Sequence, residues 1–442
     1  MAVDHKNRSK IKDAEPKNQN VANTKSNDSE NGVRRRMSAT RMEEIRWDPD
    51  RVFRENPYYL RLATKYKIVK YVTIVLALAF AVIMLTAFSS DITTENFQYL
   101  IKDLDLSGLA TGNTFDTLLY NGGSDSVFGI YRGELAVVSP GTVSLYKPSA
   151  ALSLNKSNIY YSPRLLTSEK YFLVFDRGDT SRSYSVFNSF AELKTETYSH
   201  PITGAALSDS GNYALVTRDD SFRGIVRMYD DSFRQIMEIK KDKYILSIDI
   251  SDDGKTLAIA SVYDQNGDFA AEIMTVRVGD AEAEATVLEE GIMPLQVRFM
   301  EGNTLGVLFN DRAKVYNADG SERASYSYSS MPSVHAEIGE SYICAVYNTS
   351  VIGNDKTVAV YDTDGQTVFT DSLNGELLSI VSKEDILCLL FEDKAVRIDV
   401  KRGTLATQEV APNALAIVFV GESPMICYSG NAAVLDFAAD GE

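Results

Sequence analysis

The most constraining feature of this sequence is a repeat of short apolar runs in its larger, C-terminal part. Runs such as TLAIASV and TLGVLFN begin at residues 134, 171, 213, 256, 304, 342, 386 and 425, so they recur every 37 to 48 residues. Each run is preceded by one strand-like run and followed by another, with Gly, Asp, Asn and Ser turns between them. In the first seven units a fourth strand-like run follows, and no long helix is predicted among them.

Four antiparallel strands at this spacing are typical of a β-propeller. Eight units can be counted, and the last one lacks a fourth strand. The run FDTLLYN, residues 115–121, is a strand without a unit of its own and precedes the first unit. If it completes the last blade, it closes the ring and pairs the sheet edges that would stay open. The sequence therefore predicts an all-β, eight-bladed β-propeller over residues 113–438, with a seven-bladed ring as the alternative.

The stretch Asp362-Thr-Asp364-Gly365 raises the question of a calcium site. Its equivalents in other units are YNADG at 316–320, YDDS at 229–232 and DVKRG at 399–403. The four stretches occupy one structural position but differ in their side chains. This pattern favours a shared turn over a shared ligand site. We therefore predict a hairpin turn at this position.

A second acidic stretch carries oxygens at Asp264, Asn266 and Asp268, which match positions 1, 3 and 5 of a calcium loop. Such a loop has glycine at position 6 and glutamate at position 12, where this sequence has Phe269 and Thr275. We interpret the stretch as a polar loop that joins strands two and three of its unit. Calcium binding by the three oxygen-bearing residues stays open.

The three cysteines, Cys344, Cys388 and Cys427, fall at one position in the second strand of successive units. The other units have mostly small apolar residues there, namely Ala136, Leu173, Leu215, Ala258 and Gly306. Such a column suits close packing between neighbouring blades. An odd number of cysteines in an exported domain argues against a disulfide framework, so we predict buried free thiols.

Charge is divided sharply along the chain. Residues 1–70 carry 17 Lys/Arg and 10 Asp/Glu, a net charge of +7; subtraction from the totals of 45 and 61 leaves 28 and 51 in residues 71–442, a net charge of −23. The boundary is the uncharged apolar run Tyr71–Phe88, whose length of about 27 Å as a helix approaches that of a bilayer core. Basic residues precede this run and acidic residues follow it, which predicts a cytosolic N-terminus and an exported propeller.

These features divide the chain into five predicted segments. Residues 1–57 form a disordered basic cytosolic tail, because their composition buries too little apolar surface to fold. Residues 58–70 form a juxtamembrane helical segment that runs into a transmembrane helix at 71–88. Residues 89–112 form an extracytoplasmic amphipathic helix and a linker, and the propeller follows. A cleaved signal peptide is the rival interpretation, but its leader would be far longer than such peptides are.

No recognisable catalytic or cofactor-binding motif is present. His200 and His335 fall in different units, without a nucleophile motif nearby. The sequence also lacks a glycine-rich phosphate loop and a paired-cysteine zinc pattern. We predict no catalytic, cofactor-binding or metal-binding residues, no cofactor and no nucleic-acid partner.

The connections between strands two and three vary in length, whereas the other turns within the units are short. FDRGDTSRSYS, TRDDSFRGI and VYDQNGDFAAE are long, while VSPGTV and FEDKAV are tight. In a propeller these connections emerge on one face, and variable loops on a rigid scaffold commonly carry function. Units two and three place five arginines in an otherwise acidic domain, Arg177, Arg182, Arg218, Arg223 and Arg227. Scattered solvated charge and a patch that contacts anions both remain open.

The layout resembles an uncharacterised family of single-span, propeller-bearing membrane proteins of clostridia and related Gram-positive bacteria. The stretches YLRLATKYKIVKY and DITTENFQYLIKDLDLSG, with the apolar run between them, carry this resemblance. It implies a plasma-membrane location with the propeller outside the cell, and it supplies no catalytic residues. In general shape the propeller also resembles the eight-bladed, lipid-anchored scaffold of outer-membrane assembly.

Three functions agree with these features. The preferred one is a binding or scaffold propeller, not an enzyme, held at the outer face of the plasma membrane, with a protein or a cell-envelope polymer as its partner. The second is an exported enzyme that acts on glycan or peptide through carboxylates around the central channel. The third is a transducer that passes an outside event to the basic tail.

Overall fold

The computed structural model describes residues 57–87, 99, 117–157, 159–178, 182–280, 282–328, 333–350 and 353–437. The chain divides into two compact units, Met1–Asp103 and Leu104–Glu442. The predicted tail at 1–57 and the predicted helix and linker at 89–112 lie outside the described residues, apart from Pro57 and Tyr99.

The smaller unit contributes one described helix, α1 (Pro57–Ala87), which has 31 residues. Proline suits its first position, where the backbone N–H would have no partner within the helix. The helix covers residues 58–70 and the apolar run as far as Ala87 without a break. Within the described residues, no helix combines the length and hydropathy required of a membrane span. The transmembrane assignment of residues 71–88 stays a prediction.

The described part of the larger unit forms eight four-stranded antiparallel sheets, numbered here as blades 1 to 8. A short strand, β1 (Leu118–Leu119), comes before blade 1. Blade 1 comprises β2 (Val127–Tyr131), β3 (Glu134–Ser139), β4 (Thr142–Tyr146) and β5 (Leu152–Ser157). Blade 2 comprises β6 (Pro163–Thr167), β7 (Phe172–Asp176), β8 (Ser183–Phe187) and β9 (Glu192–Thr197). Blade 3 comprises β10 (Ile202–Leu207), β11 (Tyr213–Thr217), β12 (Gly224–Tyr229) and β13 (Gln235–Lys241).

The remaining blades follow in the same order. Blade 4 comprises β14 (Tyr244–Ile250), β15 (Thr256–Gln265), β16 (Asp268–Arg277) and β17 (Ala283–Glu290). Blade 5 comprises β18 (Pro294–Met300), β19 (Thr304–Phe309), β20 (Arg312–Tyr316) and β21 (Glu322–Ser327), with a 3-10 turn at Glu301–Asn303. Blade 6 comprises β22 (Ser333–Ile338), β23 (Tyr342–Asn348), β24 (Asp355–Asp362) and β25 (Thr367–Asn374). Blade 7 comprises β26 (Leu377–Lys383), β27 (Ile386–Phe391), β28 (Lys394–Asp399) and β29 (Thr404–Glu409).

Blade 8 is completed by the N-terminal strand. It comprises β30 (Ala416–Val420), β31 (Ser423–Cys427) and β32 (Asn431–Val434), with β1 as its fourth strand. Leu118 lies opposite Ala432 in this antiparallel pair. Just beyond β1, the hydroxyl of Tyr120 donates to the carbonyl oxygen of Asn431 at 2.9 Å, which adds a further link between β1 and β32. The predicted closure by residues 115–121 is confirmed, and the seven-bladed alternative is wrong.

Alternation along the inner strands builds the core between blades. In β27, Leu387 and Leu389 pack with blade 6, while Cys388 packs with blade 8. Both faces of such a strand are buried, so its sequence is apolar throughout. All three thiols are free and buried as predicted, and burial raises the pKa of each.

One member of the predicted column was placed wrongly. Leu215 packs towards blade 2, whereas Ala214 packs towards blade 4 in the direction that the three cysteines share. The small residue therefore occupies the interface position in blade 3 as well. The column is more uniform than the sequence alignment suggested.

The predicted turn at Asp362 is confirmed. One carboxylate oxygen of Asp362 accepts the backbone N–H groups of Asp364 at 3.0 Å and Gln366 at 2.9 Å. Gly365 has φ of 97°, in the left-handed region that favours glycine. The carboxylate is thus used to hold the hairpin between β24 and β25.

Candidate functional site

The strand order fixes which connections share a face. Strands one to four of each blade alternate in direction, so the connections from strand two to three and from each blade to the next emerge together. We call this the variable-loop face. The turns between strands one and two, and between strands three and four, lie on the opposite face.

The hairpin of blade 4 projects from the variable-loop face. Strands β15 and β16 each have 10 residues, whereas the second strands of the other blades have five to seven. The last residue of β15 that pairs with β14 is Val262. The three residues beyond it extend the ribbon by about 10 Å at the usual rise of a strand. Phe269, beside the tip, is 63% exposed.

The hairpin tip is the acidic stretch that the sequence left open as a calcium loop. Gln265 lies opposite Asp268, and the two residues between them, Asn266 and Gly267, have φ of 58° and 93°. Positive φ at both central positions defines the type I′ turn that Asn-Gly favours. Among the described residues, no group of three or more His, Cys, Asp or Glu side chains is placed to hold a metal ion. The stretch is a β-hairpin, and its polar residues are turn and strand residues.

Hydrogen bonds to buried residues hold the connection between blades 1 and 2 in place. Tyr160 is buried, and its hydroxyl donates to Ser185 Oγ at 3.0 Å. The buried carboxylate of Asp176 accepts the backbone N–H groups of Tyr161 at 2.9 Å and of Ser162 at 2.5 Å. These bonds hold Ile159 and Tyr161 outward, where they are 79% and 77% exposed.

The loop of blade 3 is also ordered. A carboxylate oxygen of Asp219 accepts the backbone N–H groups of Phe222 at 2.7 Å and Ser221 at 2.8 Å. These two N–H groups hold the pKa of Asp219 below its ordinary value. The next residue, Arg223, places its guanidinium 5.1 Å from the ring centre of Tyr244, at the start of blade 4.

Of the five arginines noted in units two and three, four lie exposed on the variable-loop face, namely Arg177, Arg182, Arg218 and Arg223. The fifth, Arg227, lies within β12 and is half-buried. It pairs with Glu238 at 2.9 Å and donates to Thr217 Oγ1 at 2.7 Å. Arg227 therefore belongs to the blade and not to the loop cluster.

Two further cations join the same face, and sequence reasoning missed both. Lys156 lies near the end of β5, the fourth strand of blade 1, and Arg164 near the start of β6, the first strand of blade 2, so both lie at the variable-loop end of their strands. Only connections from strand two to three were considered, although the predicted strand order already places the blade-to-blade connections on this face. We define the basic patch as Lys156, Arg164, Arg177, Arg182, Arg218 and Arg223.

The cations of the basic patch differ in their pairing from other cations of the ring. Elsewhere on the variable-loop face, Arg312 pairs with Asp311, and Lys241 and Lys243 pair with Glu272. Within the described residues, five members of the basic patch form no ion pair: Lys156, Arg164, Arg177, Arg182 and Arg223. On the opposite face, several exposed turn cations each have a carboxylate partner: Arg234 with Asp230, Lys255 with Asp253, Lys401 with Asp385, and Arg402 with Asp399. These five patch cations therefore carry positive charge that no ion pair among the described residues offsets.

The first strands line a central channel with a charged side. Arg298, on β18, donates to Glu337 at 3.2 Å and to the carbonyl oxygen of Ile338 at 2.7 Å. Ser382, on β26, donates to the same Glu337 carboxylate at 3.0 Å. Burial raises the pKa of Glu337, against the opposing effect of Arg298. Glu337 thus links blades 5, 6 and 7.

Asp249, on β14, ties blade 4 to blade 5. Its carboxylate accepts the backbone N–H of Phe299 at 2.7 Å. Its edge reaches the channel, but protein encloses it on most sides, and this burial raises the pKa of Asp249 to about 6. Asp249 and Glu337 lie on strands separated by β18, and each is engaged with a neighbouring blade.

Elsewhere the channel wall mixes apolar and polar side chains, the latter including Thr167, Ser379 and Lys383. A cavity of about 420 Å³ is lined by residues of blades 1, 2, 7 and 8, including Phe128, Ile130, Ile380, Val418 and Phe419. The two propeller histidines are not brought together, since His335 lies on β22 and His200 in the connection before β10. The two histidines thus do not form a catalytic site with each other. The hypothesis of an exported enzyme stays a prediction.

The family follows from a profile that matches residues 120–430, which include nearly the whole ring. The profile is described as a family of unknown function, DUF5711. The chain belongs to this family. No curated protein matches it.

Among solved structures, BamB from Moraxella catarrhalis resembles this DUF5711 protein in fold. The TM-score is 0.50 at 9% sequence identity, and the match covers 73% of this chain and 98% of that chain. At such low identity, the likeness shows the β-propeller fold alone.

Proposed function

We propose that this protein is a membrane-anchored, extracytoplasmic scaffold propeller that binds a protein partner through its variable-loop face. One observation carries the proposal: large apolar side chains gather exposed on this face, at Ile159, Tyr161, Tyr244, Leu246, Phe269 and Leu295. Exposed apolar groups among polar ones are typical of interaction surfaces, and tyrosine and arginine are enriched at binding hot spots.

The opposite face is poorer in such groups. Among the described residues at its turns and strand ends, the exposed large apolar side chains are those of Leu152, Phe190, Ile236 and Val368, none more than 49% exposed. The asymmetry favours the variable-loop face as the binding surface. The hydrogen bonds of Asp176 and Asp219 also hold its loops in place, so that binding loses little conformational entropy.

Helix α1 supports the anchoring part of the proposal. From Tyr71 to Ile83, large apolar side chains lie exposed on all sides of the helix: Tyr71, Val72, Ile74, Val75, Leu76, Leu78, Phe80, Val82 and Ile83. A helix that is apolar all round is stable when lipid or protein covers it. The basic residues before this run and the acidic excess after it favour a cytosolic N-terminus at the plasma membrane.

A labelling experiment tests the orientation. A cysteine at Ser124, which is exposed, should react in intact cells with a thiol reagent that cannot cross membranes, while a cysteine at Ser26 should not. The three native thiols are buried and give little background. Labelling at Ser26 alone would reverse the assignment of compartments.

Site-specific crosslinking tests the binding face. The full-length protein should capture a protein partner in cells when benzoylphenylalanine replaces Tyr161 or Phe269, because both lie exposed on the variable-loop face. The same probe at Phe190 or Val368, on the opposite face, should capture none. Adducts from the second pair alone, or from neither pair, would contradict the proposed function.

A further inference from the structure

We propose that the basic patch binds an acidic segment of the partner protein, with Ile159 and Tyr161 as apolar anchors beside it. The inference rests on the proposed function and adds the chemistry of the partner. It predicts a stretch of the partner in which Asp or Glu residues alternate with apolar ones.

The charge of the patch opposes that of its domain. Residues 71–442 have 28 basic and 51 acidic residues. The patch contains six cations; the described carboxylates of the same loops are Asp176, Asp219 and Asp220, and Asp242 follows in the next blade-to-blade connection on this face. Asp176 is buried beneath the blade 1 to blade 2 connection, and Asp219 is bonded to its own loop. The basic patch attracts anionic segments, whereas the acidic remainder of the domain repels them.

The composition of the patch favours carboxylate recognition. Five of its six members are arginines, whose planar guanidinium groups bind carboxylates in a bidentate manner. The apolar anchors are adjacent, because the backbone N–H of Arg177 donates to the carbonyl oxygen of Ser162 at 3.0 Å, next to Tyr161. Cationic and apolar contacts can therefore be made together by one extended chain.

The shape of the face favours a protein segment over a lipid surface. The blade 4 hairpin extends about 10 Å past its last pairing with β14, and β17 runs beside it as far as Ala270. A flat bilayer that approached this face would meet the hairpin before it reached the patch. A narrow polypeptide can lie beside the hairpin, across blades 1 to 3.

A matched pair of variants tests the inference. The patch variant changes Arg164, Arg177, Arg182 and Arg223 to Glu, and the control variant changes Arg234, Lys255, Lys401 and Arg402 to Glu. Both variants alter the net charge equally and affect exposed side chains, but on opposite faces. Thermal unfolding establishes that each variant of the full-length protein is folded.

The probe is a fluorescent peptide of repeated Glu-Glu-Leu triplets, compared with a Gln-Gln-Leu peptide. Full-length protein in detergent should bind the acidic peptide more tightly, and the patch variant should bind it at least about tenfold more weakly. The control variant should change the affinity by less than about twofold. Arginine-to-lysine changes at the four patch positions should weaken binding to an intermediate degree, because lysine keeps the charge and loses the planar fork.

Four results would overturn the inference. Equal binding of the two peptides would remove the preference for acid, and equal losses in both charge-reversed variants would show a long-range charge effect without a site. Displacement of the acidic peptide by phosphatidylglycerol vesicles, but not by phosphatidylcholine vesicles, would assign the patch to lipid. If the patch variant still yields the Tyr161 and Phe269 crosslinks, the inference fails while the proposed function stands.

Discussion

Replacing Leu118 with Ala should lower the free energy of unfolding of the propeller by about 2–5 kcal/mol, the usual cost of deleting a buried leucine side chain. Leu118 belongs to a strand of only 2 residues, yet it is 1% exposed. It packs with Leu135 and Val137 of blade 1 and with Met425 of blade 8. The contacts that this change removes are therefore ones that join blade 1 to blade 8. Urea unfolding followed by circular dichroism measures the change.

The next residue provides the control. Leu119 lies on the same strand but is 71% exposed, so its change to Ala should cost under about 0.5 kcal/mol. A chain beginning at Val127 should melt far lower than one beginning at Thr111, because it lacks Leu118, Tyr120 and the β1 ladder. Equal melting temperatures would mean that β1 does not hold the ring closed.

Replacing Asp249 with Asn should stabilise the protein at pH 7.5. Burial raises the pKa of Asp249 from 3.8 to about 6, so the native state holds a proton that the unfolded state releases between these values. Stability from this group is therefore present at low pH and is lost as pH rises through about 6. A shift of about 2 units corresponds to at most about 3 kcal/mol, and channel water reduces this value. Asparagine keeps an oxygen that can accept the Phe299 N–H.

The effect of the Asp249 variant should depend on pH. Its advantage in melting temperature should be largest above pH 7 and should disappear near pH 4. A carboxylate only four residues away gives the opposite sign: Lys255 and Ser251 lower the pKa of Asp253, so its change to Asn should destabilise slightly at neutral pH. A pH-independent advantage for Asp249→Asn would show that desolvation of the charge is not its cause.

The sequence by itself determined the architecture of the ring. Each blade repeats one order of apolar runs and turns, and a period repeated eight times averages out local ambiguity. The unpaired run at residues 115–121 fixed the closure, because an open last blade would leave exposed edges. The turn at Asp362 was predictable because the corresponding stretches of other units occupy the same position in the repeat but carry different side chains.

Register within a buried strand was harder to predict. In β11, Ala214 and Leu215 are both apolar because both faces of the strand are buried, so alternation gives no sign of which residue faces which blade. Arg227 was grouped with the loop arginines by proximity in sequence, although it lies within the third strand-like run of its unit. The ambiguity in each case spans only one or a few residues, yet it decides which neighbour the side chain meets.

Only the tertiary structure assembled the candidate site. Lys156 and Arg164 are separated in sequence from Arg218 and Arg223 by more than a blade, and the side-by-side packing of blades 1 to 3 sets them on one face. Whether a cation is paired depends on distances across strands and blades, which no local pattern records. The same holds for Asp249, whose raised pKa comes from burial among neighbouring strands, including the Phe299 backbone of blade 5. Repeated local patterns therefore determined the fold, whereas contacts between distant parts of the chain decided the site.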